Sequence, residues 1–102
     1  GKSVSTEVFK QFNWTGRTAA LNYVCSAQGL EECRRVIALG LSDRALVVRD
    51  HALRIVLASP TYLEAEKAQI AHDVLEDPRN YRSGAPLWII ERARKYLEGF
   101  KG

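Results

Sequence analysis

Apolar residues recur along most of the chain at three- and four-residue steps, the spacing that puts side chains on one face of an α-helix. Val8, Phe9 and Phe12 follow Ser3 and Ser5, either of which can cap a first helix that Asn13 and Gly16 end. A second helix is predicted from Gly16 or Arg17, with Ala20, Tyr23, Val24 and Ala27 on one face and Gln28-Gly29 as its break. Leu30, Cys33, Ile37 and Leu41 make the stripe of a third. Ser42-Asp43 supplies the cap of a fourth, over roughly 44–58. There Ala45, Leu46, Val48, Ala52, Leu53, Ile55, Val56 and Leu57 occupy most of the circumference, as in a helix packed from several sides. Ser59-Pro60 reads as cap and first-turn proline of a fifth helix, which turns Leu63, Ile70, Ala71, Val74 and Leu75 inward. Asp77-Pro78 opens an irregular stretch through Gly84, and Pro86 sits in the first turn of a sixth helix with Leu87, Ile90, Ala93 and Leu97 on its core face. No sustained alternation and no Asn-Gly or Asp-Gly turn signals a hairpin. The pattern predicts an all-α domain over residues 1–102, built of six helices in three antiparallel pairs of about 33 residues each.

A short motif recurs at nearly that period. Arg stands at 17, 49 and 82 and Ala at 20, 52 and 85, each expected near the start of the second helix of its pair. Asp43 and Asp77 recur in the turns before the second and third matches, and the first has no such aspartate. Arg35 and Ala38 repeat the same spacing on the other helix of a pair, so the motif gains its meaning from the helix register. The stretch LGLSDRALVVRDHALRIVL resembles the second helix of a HEAT-like repeat, with Asp43, Val48, Arg49 and Ala52 at the matching positions. The last unit keeps Asp77, Arg82 and Ala85 but has Tyr81 for valine and Pro86 after the alanine, and the first keeps Arg17 and Ala20. The resemblance implies a short right-handed stack of helix pairs, a scaffold used to bind proteins and in some branches nucleic acid. Stacking also suits the physics, because one helix pair cannot bury its apolar face alone. In such a stack small alanines let helices approach, and each arginine can fork onto an aspartate or open carbonyls of a neighbouring turn. A plain helical bundle is the alternative architecture.

Composition adds two points. At 46% hydrophobic and 26% charged, the chain has the make-up of a globular domain. The formal charge of +3 is unevenly placed. Residues 1–77 carry nine Lys and Arg against ten Asp and Glu, whereas residues 78–102 carry six against two. Either the C-terminal quarter seeks an acidic partner, or it neutralises the five acids of residues 60–77. No apolar run reaches the ~18 residues of a membrane span. No signal-peptide pattern follows Lys2, and the lack of methionine reads as a chain excised from something longer. Cys25 and Cys33 are expected as buried free thiols in a reducing, cytoplasmic setting, since two cysteines make neither a disulfide framework nor a zinc site. Asn13-Trp14-Thr15 fits the N-glycosylation acceptor pattern and, without a secretory signal, is read as chance.

Little in the chain suggests catalysis. His51 and His72 stand apart with no clustered ligands, His72 and Asp73 diverge on a helix, and so do Glu64 and Glu66. Gly16, Gly29 and Gly40 fall at predicted helix ends and form no phosphate loop. No catalytic residue, metal site or cofactor is assigned. The sixth helix offers a surface instead. Trp88, Arg92, Lys95 and Tyr96 fall together beside its core face, the mixture of rings and cations enriched where proteins hold partners. The sequence therefore points to a binding or adaptor module whose partner is another protein or a second copy of the chain. Nucleic acid is the alternative partner, held by Arg79, Arg82, Arg92, Arg94 and Lys95.

Overall fold

A computed structural model describes residues 5–100, so the alternative cap Ser3 and the basic Lys101 lie outside the described residues. The described residues form six α-helices: α1 (Thr6–Gln11), α2 (Trp14–Ala27), α3 (Leu30–Leu41), α4 (Leu46–Ala58), α5 (Glu64–Glu76) and α6 (Trp88–Gly99). Between α5 and α6 lie a 3₁₀ turn (Pro78–Asn80) and a two-stranded hairpin of β1 (Tyr81–Arg82) and β2 (Ala85–Pro86). No helix among the described residues is long and apolar enough to cross a membrane. The chain divides into two units, Gly1–Ala52 and Leu53–Gly102.

In the first unit Ser5 caps α1 by accepting the Val8 N–H, and Asn13 caps α2 by accepting that of Gly16. Phe9, Leu21, Val24, Val36, Ile37 and Val48 are fully or almost fully buried. The inward face of α2 is Arg17, Ala20, Leu21 and Val24, while Tyr23 and Ala27, expected on that face, are exposed. Gly40 sits at a close approach between α3 and its neighbours: a Cβ there would lie 3.0 Å from that of Ala52 and 3.1 Å from Leu21 Cδ1. That is too tight for any larger residue without movement.

Arg17 is almost wholly buried and forks onto Asp43, with Nε 2.7 Å from Oδ2 and Nη2 3.1 Å from Oδ1. Its Nη1 donates to the Phe12 carbonyl at the end of α1. Asp43 Oδ1 also accepts the Ala45 N–H at 2.8 Å, and the Asp43 carbonyl accepts Arg49 Nη1 at 2.8 Å. The aspartate thus organises the turn between α3 and α4, and α4 begins at Leu46, after the expected start near 44.

The cysteines correct an expectation. Cys25 and Cys33 form a disulfide and are not free thiols. Gln28 and Gly29 reverse the chain, so the last turn of α2 meets the first turn of α3 with the two Cα atoms 4.5 Å apart. That separation is within a disulfide's reach. The helical stripe of α3 supplied no hint of it, because the pairing depends on the reversal and not on the register of either helix.

The second unit starts α5 later than proline punctuation predicts. Ser59 Oγ accepts the Thr61 N–H in a local turn, so Ser59 and Pro60 shape the connection and cap no helix. Glu66 instead accepts the Leu63 N–H at 2.9 Å, and Leu63, expected inward, is 69% exposed. At the far end, buried Asn80 donates to the Val74 carbonyl and accepts the Leu87 N–H, while the Tyr81 hydroxyl donates to the Leu75 carbonyl. These bonds satisfy carbonyls that the end of α5 leaves open. They also fix the start of α6, whose Ile89, Ile90 and Ala93 are buried.

The hairpin corrects the reading of the last repeat match. Arg82 pairs with Ala85 and Tyr81 with Pro86, so Arg82 and Ala85 are exposed strand residues and neither begins a helix. Ser83 (φ 51°) and Gly84 (φ 82°) are both left-handed, as a two-residue hairpin turn requires. Ser-Gly is a weaker turn signal than Asn-Gly, which is why the hairpin escaped notice. Pro86 lies in β2, where its missing N–H is tolerated at an edge, and α6 starts two residues later at Trp88.

Two stability outcomes follow. Arg49→Ala should cost about 2 kcal/mol or more by leaving the Asp43 carbonyl short of its donor, whereas exposed Arg92→Ala should stay within about 0.5 kcal/mol. Equal losses in urea melts would contradict the distinction. Reducing Cys25–Cys33, which closes a short loop, should lower stability by about 2–3 kcal/mol in the same assay.

Candidate functional site

The amphipathic pattern of α6 sorts its residues cleanly. Ile89, Ile90 and Ala93 turn inward, while Trp88, Arg92 and Lys95 are exposed and Tyr96 is half-buried. Trp88, Glu91, Arg92, Lys95 and Tyr96, with Leu57 from the last turn of α4, line an open depression of about 470 Å³. Trp88 is 57% exposed. The four residues expected from the sequence to act together therefore line one surface.

One wall of this depression is held by hydrogen bonds. Lys67, only 8% exposed, donates from Nζ to the Leu57 carbonyl at 3.2 Å, a cation placed at a helix C-terminus where the dipole favours it. Its Nζ is also 3.7 Å from Glu64 Oε1, and Glu64 Oε2 accepts the Tyr96 hydroxyl. The Tyr96 ring stacks against Phe100 with centroids 6.2 Å apart. Donating to Glu64 holds the Tyr96 phenol in its neutral form, and desolvation and the carboxylate's charge add to this, so its pKa is pushed up to about 12. The lining thus combines a tethered tyrosine with a tryptophan that is largely exposed.

The five cations of the nucleic-acid reading are dispersed. Arg92 and Lys95 line the depression, but Arg79, Arg82 and Arg94 do not. Arg79 bonds to Asp77 through Nη2 at 2.8 Å, Arg94 lies 3.7 Å from Glu91, and Arg82 is in the hairpin. Asp77, which precedes the last quarter, therefore meets part of its positive excess, and Glu91 is already counted within it. His51 Nε2 lies 2.8 Å from Asn22 Oδ1 in the first unit, and His72 is exposed on α5 in the second. No group of three or more His, Cys, Asp or Glu side chains gathers among the described residues in a way that could hold a metal ion.

Three contributors went unrecognised in the sequence. Glu91 lies one helical turn from Trp88, and the register alone could have shown it. Leu57 was grouped with the core of α4, although it is half-buried and reaches the depression. Glu64 sits thirty-two residues before Tyr96, and only tertiary packing brings them together. Compared with protein families, with curated proteins and with solved structures, the chain matches none.

The Tyr96–Glu64 bond has a pH signature. A phenol raised from 10.0 to about 12 in the folded state contributes stability that is fully present below pH 10 and lost as pH rises through about 12. Urea midpoints taken across that window should fall more steeply for the native chain than for Tyr96→Phe, and parallel curves would show that the bond does not form in solution.

Proposed function

We propose that this chain is a non-enzymatic binding or adaptor module that holds another protein through Trp88, Arg92, Lys95 and Tyr96. The observation that carries this reading is the exposure of Trp88 in the lining of a depression that also holds a tethered tyrosine. A large ring left in water beside guanidinium and ammonium groups is the composition of a binding hot spot: the ring supplies area and arginine supplies directed hydrogen bonds. Glu91 in the same lining makes the surface mixed in charge, which suits a protein partner better than a phosphate chain.

The HEAT-like repeat forms part of the proposal for the first two helix pairs. Its support is the shared work of Arg17 and Arg49, both buried and both donating to Asp43. The third match lends no support, since Arg82 and Ala85 lie in a hairpin. The Cys25–Cys33 disulfide favours an oxidising compartment over the cytoplasm, because glutathione and thioredoxin keep cytosolic thiols reduced.

Light scattering over a dilution series tests the simplest partner, a second copy, and Trp88→Ala supplies the control. A dimer mass that Trp88→Ala abolishes while leaving the fold intact is the expected result for self-association. Fluorescence anisotropy with labelled duplex DNA and single-stranded RNA at two salt concentrations tests the other class. Binding that falls steeply with salt and is lost on Arg92→Ala would replace the protein partner with nucleic acid.

A further inference from the structure

A second cavity lies wholly in the first unit and is independent of the α6 surface. It is an open-sided hollow of about 470 Å³ between the end of α1 and the turn after α3, lined by Phe9, Lys10, Ala38, Leu39, Ser42, Asp43 and Arg44, of which Lys10, Ala38, Ser42 and Arg44 are exposed. That is within the size range of small-molecule sites. Its apolar part is the buried ring of Phe9 with the side chains of Ala38 and half-buried Leu39. Its polar part is two cations and a hydroxyl: Lys10 from the last turn of α1, Arg44 from the α3–α4 turn, and Ser42 at the end of α3.

The charge balance decides what would enter. Asp43 is the one acid in the lining, and both of its carboxylate oxygens already receive Arg17. Its negative charge is therefore matched from behind the cavity wall. Neither Lys10 nor Arg44 pairs with a carboxylate among the described residues. Two cations over an apolar floor attract a ligand with one anionic end and one apolar body. The geometry points to a binding site for a small amphipathic carboxylate, its head between Lys10 and Arg44 and its body against Phe9, Ala38 and Leu39.

The competing account is that both cations only complement the negative helix ends of α1 and α3. That role would alter stability and leave ligand affinity untouched. The test is calorimetric titration of the intact chain with decanoate, with decanol as the neutral control and inorganic phosphate as the control without an apolar body. Decanoate should bind saturably and at least about tenfold tighter than either control. Lys10→Gln with Arg44→Gln should reduce decanoate affinity by about tenfold or more, with binding of decanol unchanged. Leu39→Asn, which keeps both cations, should weaken decanoate as well. Urea melts establish that each variant is folded. Decanoate bound no better than decanol, or equally well by the doubly substituted chain, would overturn the proposal.

Discussion

The first unit depends on one buried ion pair. Arg17 and Asp43 are twenty-six residues apart, nearly inaccessible to water, and joined by two hydrogen bonds. A charge buried without a partner costs several kcal/mol, so neither residue can be in place without the other. The pair reaches further than its two members. Through Phe12 it fixes the end of α1, through Ala45 it shapes the approach to α4, and through the Asp43 carbonyl it engages Arg49. Buried pairs are weak sources of net stability, and their value lies in allowing one arrangement and penalising the others. Here the arrangement selected is the order in which α1, α2 and the α3–α4 turn meet.

That logic explains how much the sequence disclosed. Helix count and type were legible because apolar residues at positions such as Ala20, Val24, Cys33 and Ile37 follow the helical period and are buried, although Leu21 and Val36, also buried, were not singled out. Arg17, Asp43 and Arg49 were singled out by a spacing whose third match, Arg82 and Ala85, lies in a hairpin, and the bond from Arg17 to Asp43 was not foreseen. Helix starts were less so. Ser59-Pro60 has the local chemistry of a helix start, yet Glu66 sets the first turn of α5 from within the helix. The hairpin at Tyr81–Pro86 was hidden because four paired residues cannot display alternation. The disulfide was hidden for a related reason, since a chain reversal places Cys25 beside Cys33.

The α6 surface shows the same division between local and tertiary information. Trp88, Arg92, Lys95 and Tyr96 share a face because of helical spacing, which any sequence displays. What gives that face its form is the relay from the Leu57 carbonyl through Lys67 and Glu64 to Tyr96, and no local pattern announces it. The relay holds one aromatic ring while the other stays in water. A ring held in advance loses less conformational freedom when a partner arrives, and this favours binding. The electrostatics also depend on pairing: Asp77, which precedes the basic quarter, engages Arg79, and Glu91 within it engages Arg94.

The measurement that bears most directly on this account is collisional quenching of Trp88 fluorescence by acrylamide, in a Trp14→Phe chain where Trp88 is the single tryptophan. At high dilution Trp88 should be readily quenched, as its exposure demands, and under the proposed function it should become protected at concentrations where the chain associates. A Trp88 shielded from quencher even at the highest dilution would contradict the claim that this ring is an open part of a binding surface.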